Sequence, residues 1–515
     1  MHYQTNQSFG QVGLREGIEK CDRRRYSKQM GKMIDRDEVV ELVLNRIKAS
    51  AAEYGDVRMV ESRSQVIHGE DRRIARVQDS EDSGFGVRVL YRGAWGFASS
   101  SVLTAGEVRR VSDLAIAIAK GSATLVNDPV TLCPEPVHID SVVTSARVDP
   151  FLVPLEEKTR LLLETMETLH KQAGVARSSA GLWARRDKKV FASTEGSKLQ
   201  FDLLAVEGDF EATAVHDGRF ASRGFNTPHL RTGYELITDA QFLKEAPRIA
   251  AQAVEKVKAP EVAAGPYDLL LDPEHLSLTI HESCGHPSEL DRALGYEANY
   301  AGTSFLTPDK LGSFRYGSSH INLVADNTEP DTLAATGYDD DGVACQRWDI
   351  IREGIFVGYC TNREVAPKIG QSRSRGSNRA DSWGSVPMVR IANIGLEPGH
   401  SNVDDMIADI KHGIYIEGHG SFSIDQRRYN FQFGGDAFWL IENGTRTHML
   451  RDVIYHGITP EFWGTCDAVA DSSHRRRFGF ITCGKGQPGQ SGWMTHAAAH
   501  ARFRNISVIP GRAGT

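Results

Sequence analysis

No apolar run in this 515-residue sequence approaches the roughly 20 residues that a membrane-crossing helix needs; stretches such as Leu114 to Ala119 stop far short. Positive charge is also short. The formal net charge is −7 and the pI about 6.2, which excludes the broad basic field that draws proteins to nucleic acid or anionic lipid. Cysteine is sparse and odd in number, seven residues scattered from Cys21 to Cys483, so the thiols read as reduced and not as a disulfide framework. Arg23-Arg24-Arg25 precedes no apolar core of about 7 to 15 residues, and Glu16, Glu19 and Asp22 argue against a transit segment. A cytoplasmic protein with neither membrane nor nucleic-acid partner is the expectation. Repeats of fixed period and low-complexity tracts are lacking too. Gly84, Gly86, Gly93 and Gly96 lack the strand-to-helix setting of a dinucleotide fingerprint.

What is present is ordinary globular composition, 40% hydrophobic and 25% charged, enough for more than one core. Residues 1–34 are polar and aperiodic and read as a flexible extension, with Met33 as an alternative start. From Asp35, an N-cap, Val39, Val40, Leu42, Val43 and Ile47 recur at helical spacing. Strands are expected over Val57 to Ile67 and Val87 to Phe97, then a helix from Thr104 to a stop at Gly121. A second unit has helices from Pro154 to Ala173 and Asp239 to Lys258, with strands near Lys189 to Thr194 and Leu199 to Thr213. The small-residue and proline stretch Ala259 to Pro266 reads as a connector. Beyond it the chain is Gly-rich and strand-like, with helices expected only around Leu276 to Gly285 and Val403 to Lys411. The fold class is therefore α+β. An N-terminal α/β region spans 35–258, divisible at 150, and a β-rich C-terminal domain spans 259–515.

The helix after Leu276 carries His281-Glu282-Ser283-Cys284-Gly285-His286, an H-E-x-x-x-H pattern. In the commoner H-E-x-x-H motif the histidines stand four apart and face one way. Five residues at about 100° each leave the second imidazole roughly 140° from the first, so a regular α-helix cannot aim both at one ion. The helix must widen or end, and Gly285 and Pro287 on either side of His286 permit a π-type turn or a break. Glu282 would then hold a carboxylate beside a metal without being a ligand, the position of a general base. Cys483, in Gly479-Phe480-Ile481-Thr482-Cys483-Gly484-Lys485, is the best third ligand, with Lys485 placed to lower its pKa. A His2Cys set leaves a fourth position open on zinc. On these residues alone, two surface histidines and a buried apolar-like cysteine remain the alternative.

From about residue 35 to the C-terminus the chain resembles the TldD/PmbA family of zinc metalloproteases, in its metal-binding, TldD-like branch. The matching segments are His281 to His286 continuing through Glu289 and Asp291, Gly337 to Gly342 with Arg347, Gly413-Ile414-Tyr415, Asp436 to Gly444, and Cys483-Gly484-Lys485-Gly486-Gln487. The resemblance implies that His281, His286 and Cys483 bind Zn2+, that Glu282 is the catalytic base, and that a peptide bond is hydrolysed. It also implies a dimer, with a related TldE/PmbA-like subunit or with itself. The alternatives are a non-catalytic or maturation subunit with structural zinc, or a hydrolase of a C–N bond in a peptide-derived metabolite.

The chain departs from the family pattern at Gly376-Ser377-Asn378-Arg379 and at Gln426-Arg427-Arg428-Tyr429. Asn378, Arg427 and Arg428 are therefore candidates for substrate contact, together with His419 between two glycines, which is placed to stabilise an oxyanion. His474 to Arg477 reads as a solvated charged turn or a positive rim. Asp339-Asp340-Asp341 reads as a solvated turn, with an acid set supporting the metal ligands or a hard-cation site as the alternatives. Trp439, Trp463 and Trp493 read as ordinary core, since large aromatics are mostly buried, with exposed interface anchors as the alternative. A β-rich site domain is expected to take unfolded or short peptides as an added strand.

Overall fold

The structure is a computed structural model that describes residues 33–511. Cys21 and the expected extension over 1–34, except its last two residues, lie outside the described residues. The fold is α+β, and its strands form two large blocks along the chain.

The first block is a seven-stranded sheet drawn from residues 54–226, built on three long antiparallel strands, Tyr54–Glu70, Arg73–Tyr91 and Val175–Ser193. The expected strand Val87 to Phe97 is two strands, because Arg92 (φ 48°) and Gly93 (φ 72°) make the tight turn of a hairpin. The strand expected at Lys189 is the end of a 19-residue one, whose middle, the charged run Arg185 to Lys188, does not look like a strand in sequence. Alternation explains the layering. Val57, Met59 and Ile67 share a face with Ala180, Leu182, Val190 and Ala192 across the register. Helices Arg36–Lys48 and Ala105–Ser122 cover one end of that face, and helices Leu155–His170 and Phe242–Lys258 cover the other. Asp35 caps the first helix in a reciprocal capping box with Glu38, and Thr104 caps the second, which runs on past Gly121 to Ser122. The expected helix from Asp239 is divided into Glu235–Asp239 and Phe242–Lys258 by Gln241 at φ 53°.

The opposite face of this sheet presents Arg58, Ser62, Ser64, Arg185, Asp187 and Lys189, and it meets the C-terminal half. Lys189 Nζ lies 2.6 Å from Asp340, and Arg88 bridges Asp56 and Asp341 at 2.7 and 2.6 Å. The expectation of a solvated turn at Asp339-Asp340-Asp341 is thus corrected, since all three carboxylates are buried. The sheet supplies their cations, and three backbone N–H groups, of Asp341, Val343 and Asn378, donate to Asp339.

The C-terminal block contains a nine-stranded and a six-stranded sheet. The first is centred on Gly265–Leu271, flanked by His412–Glu417 (parallel) and Ala501–Pro510 (antiparallel). The second runs in the order Ile355–Phe356, Arg347–Arg352, Leu323–Asp326, Ile394–Leu396, Gln490–Ala498, Arg476–Lys485. Helix Pro273–Ile280 shares one apolar core with both sheets, through Leu276 and Ile280 against Leu271, Ile414, Ile394 and Met494. Burial of this helix carries the histidines that follow it into the interior. Among the described residues no helix is long and apolar enough to cross a membrane.

Candidate metal centre

Asp272 starts the helix by accepting a hydrogen bond from His275 N–H at 2.8 Å, and Pro273 sits in the first turn. At His281 the helix widens into one π-turn, His281–Gly285, in which the N–H of His286 donates to the carbonyl of His281 five residues back. The extra residue per turn is what a spacing of five demands, and the two imidazoles come to a centroid distance of 4.9 Å. Gly285 is needed here for close approach, since a Cβ would meet Ile391 Cγ2 at 3.0 Å.

Cys483 reaches the same point from strand Arg476–Lys485. One ligand atom each from His281, His286 and Cys483 fall within 4.8 Å of one another, and all three residues are buried. Cys483 Sγ is 3.5 Å from His286 Nε2. The donor set is ordered from behind. His496 Nδ1 lies 3.0 Å from the carbonyl oxygen of Ile394, which can only accept, so the proton is on that nitrogen and His496 Nε2 is an acceptor. His281 Nδ1 therefore donates to His496 Nε2 at 2.9 Å and leaves its own Nε2 lone pair free. His286 Nδ1 donates likewise to Glu289 Oε2 at 2.9 Å. Burial, aided by neighbouring cationic groups, holds both histidines well below the usual imidazole range and hence neutral.

Burial also pushes the Cys483 thiol up to about 12, outweighing the cations around it. Lys485 lowers the thiol as its position in the sequence suggests, but burial outweighs it, and the charge of Lys485 is shared with Asp291 at 2.7 Å and Glu289 at 3.2 Å. Two neutral imidazole lone pairs and one thiol that needs a cation to ionise fit a tetrahedral metal such as zinc, which accepts mixed nitrogen and sulfur donors.

The cluster opens on a cavity of about 530 Å³ that also takes in Glu282, His419 and Arg428, together with Glu207 and His229 from the N-terminal region. Burial raises the Glu282 carboxyl, and Arg428, whose guanidinium donates to Glu282 Oε2, opposes that rise. His419 is held by Ser277 Oγ at 2.9 Å. Asn378 and Arg427 do not line the cavity. The Asn378 N–H donates to Asp339 Oδ2 at 2.9 Å in the buried loop, and the Arg427 N–H donates to Asp425 at 2.8 Å in an exposed turn. The run His474 to Arg477 lies elsewhere as well, with Arg475 forked on Glu329 at 2.7 Å through both terminal nitrogens. Trp439 and Trp463 are core residues, the latter fully buried, and Trp493 is half-buried against Trp183, which sets aside the alternative of exposed anchors. Sequence reasoning missed His496, Glu207 and His229, which carry no local motif; the quoted segment reached Glu289 without giving it a role.

Two family models match the chain, the PmbA/TldA metallopeptidase C-terminal domain over 264–508 and the PmbA/TldA metallopeptidase domain 1 over 55–119. A metalloprotease of Methanocaldococcus jannaschii is 28% identical over 81% of this chain and 89% of its own length. A protein of Saccharolobus solfataricus named a zinc metalloprotease TldD homolog is 22% identical over 90% of this chain and 98% of its own. Among solved structures, a proposed modulator of DNA gyrase from Thermotoga maritima superposes with a TM-score of 0.74 at 15% identity, over 92% of this chain and 100% of that one. TldE from Thermococcus kodakarensis gives 0.67 at 18% identity, over 91% and 100%.

Proposed function

The chain belongs to the PmbA/TldD metallopeptidase family, and from that premise we propose that it is a zinc-dependent peptidase in which His281, His286 and Cys483 hold the metal and Glu282 is the general base. The observation that carries this reading is the convergence of three buried donor atoms with both imidazole tautomers set from behind. When bound, zinc supplies Lewis-acid polarisation of the scissile carbonyl.

The remaining work falls to the chain itself. His496 and Glu289 hold the proton on Nδ1 of each ligating imidazole, so that Nε2 always faces the centre. Glu282, with Oε2 engaged by Arg428, offers Oε1 to take a proton from the attacking water and pass it to the leaving amine. His419 lines the same cavity and is placed to steady a developing oxyanion.

Peptide entry has structural support as well. Strand Arg476–Lys485 is the last strand of its sheet, and residues 478–484 line the cavity. An extended peptide laid along that edge gains main-chain hydrogen bonds next to Cys483, which a folded protein cannot offer. A related TldE-like subunit is the proposed partner, consistent with the likeness to TldE, and light scattering of the chain alone and with such a subunit measures the assembly.

Metal analysis with peptidase assays on unstructured peptides tests the reading. Glu282→Gln should retain stoichiometric zinc and lose activity by about a hundredfold or more. A zinc-free wild type, or full activity in Glu282→Gln, overturns it.

A further inference from the structure

A second cavity, of about 630 Å³, lies between the polar face of the N-terminal sheet and the C-terminal half, and it shares no lining residue with the metal cavity. Its walls are the Ser62 and Ser64 side of one strand, Arg185 and Asp187 of the next, and Arg231, Arg379 and Trp493 opposite.

Charge pairing in this cavity is incomplete on both sides, but the unpaired guanidiniums are the buried ones. Asp187 is paired with Arg185 at 2.8 Å, and Asp340 with Lys189 at 2.6 Å and Arg58 at 3.9 Å. Asp381 accepts from the hydroxyl of Ser385 and the N–H of Ser491. Glu81 and Asp82 lie on exposed backbone at the margin, where Asp82 accepts from the Trp383 indole. Arg231 and Arg379 have no carboxylate partner among the described residues. Arg231 is only 7% exposed, yet its Nε–H donates to the carbonyl of Leu333 at 2.7 Å and its buried Nη1 has no partner. Arg379 gives one terminal N–H to the carbonyl of Ile391 and leaves a buried Nε unpaired.

Two guanidiniums that repel each other and lack an anion are costly in a folded protein unless a ligand supplies one. Burial lowers Arg231 to about 10, opposed by the charge of Asp187 across the cavity and aided by Arg379 and Arg185. Trp493 gives the pocket an aromatic wall, with the guanidinium of Arg185 at 5.0 Å and that of Arg231 at 5.8 Å from its ring centroid.

We propose that this cavity is an oxyanion site in which Arg231 and Arg379 grip a carboxylate or phosphate group of a small ligand, with the serines of the sheet face and Trp493 holding its body. The planar fork of arginine suits both oxyanions, so the chemistry names the group, and its source is read by experiment.

Calorimetric titration of the full chain with inorganic phosphate, with acetyl-trialanine bearing a free carboxylate and with its C-terminal amide tests this, each run on metal-loaded and chelator-stripped protein. Saturable binding of phosphate, of the peptide acid or of both is expected, with the amide at least tenfold weaker than the acid and no change on metal removal. Phosphate alone would identify a phosphorylated ligand, and the acid alone a peptide or metabolite carboxylate. Arg231→Gln should weaken binding at least tenfold. Ser64→Trp, which fills the cavity and leaves both guanidiniums in place, should do the same if Arg231→Gln fails to fold. Absence of binding at millimolar ligand, equal binding of acid and amide without phosphate binding, loss of binding with the metal, or binding that survives the cavity substitution would overturn the proposal.

Discussion

His496 stands 215 residues from His281 in sequence and sets its tautomer through a single hydrogen bond that ends on a backbone carbonyl. Replacing it with phenylalanine keeps the bulk but frees the His281 ring to turn and to protonate at either nitrogen. His496→Phe should therefore weaken metal affinity about ten- to a hundredfold, measured by competition with a chelator, while Cys483→Ala loses the metal outright. Retention of stoichiometric zinc by Cys483→Ala would remove Cys483 from the ligand set. Trp463 makes the opposite point. Fully buried on helix Thr459–Gly464, with its indole N–H donating to Ser283 Oγ at 2.9 Å, it is a core residue held against the segment that bears the histidines. Trp463→Ala should cost about 3–5 kcal/mol of stability in denaturant unfolding and leave association unchanged if that reading is right. The two histidines and Glu282 were legible because their spacing conflicts with helical geometry, and a conflict of that kind is local. His496, the Glu282–Arg428 pair and the acid partners of Lys485 were not, because each joins residues that only the fold brings together.

At the scale of elements, periodicity located the long helices, missed their terminations and missed the short helices Leu290–Ala293 and Thr459–Gly464. Gly121 continues its helix for one more residue, whereas Gln241 breaks one by adopting a left-handed conformation that its residue type does not announce. The long strand Val175–Ser193 was read only at its end, since a strand whose second face is charged does not look like one until its partner loop, Asp339 to Asp341, is known. Strand Arg476–Lys485 is the last strand of its sheet and carries Cys483, and on the proposed reading that edge would select extended chains. N-methylation of peptide nitrogens beside the scissile bond removes donors from that pairing. It should lower kcat/KM by about tenfold per methyl group in a peptidase assay, and cleavage of a folded protein at the rate of its denatured form would contradict strand addition.

Across the whole molecule, the N-terminal sheet and the C-terminal block meet through buried charge. Arg223, on strand Arg219–Asn226, donates to both Glu417 and Asp436 and is itself only 3% exposed. Truncating it leaves Asp436 to Lys256 at 3.2 Å and Glu417 to the more distant Arg248 at 3.8 Å, so Arg223→Ala should destabilise by about 1–3 kcal/mol in denaturant unfolding. The interior also fixes how the protein responds to acid. His275 is fully buried, with Nδ1 donating to the carbonyl of Gly418 at 2.9 Å and Nε2 accepting from the Tyr455 hydroxyl at 2.8 Å, and burial lowers it to about 4. In the unfolded chain it titrates near 6.5. Between these values the unfolded state binds the proton that the folded state refuses, so the contribution of His275 to stability is fully present above about pH 6.5 and is lost as pH falls towards 4. At about 1.4 kcal/mol per pKa unit, His275 alone contributes of order 3 kcal/mol across that window. His500, lowered to about 4 chiefly by burial, acts in the same direction. Glu207, whose carboxyl burial raises to about 7, acts in the opposite direction, so in denaturant unfolding of the metal-free chain the His275 contribution is read as a difference: His275→Gln should lose less stability than the wild type as pH falls from 6.5 to 4. An unchanged slope in that variant would mean that the acid response resides elsewhere in the interior.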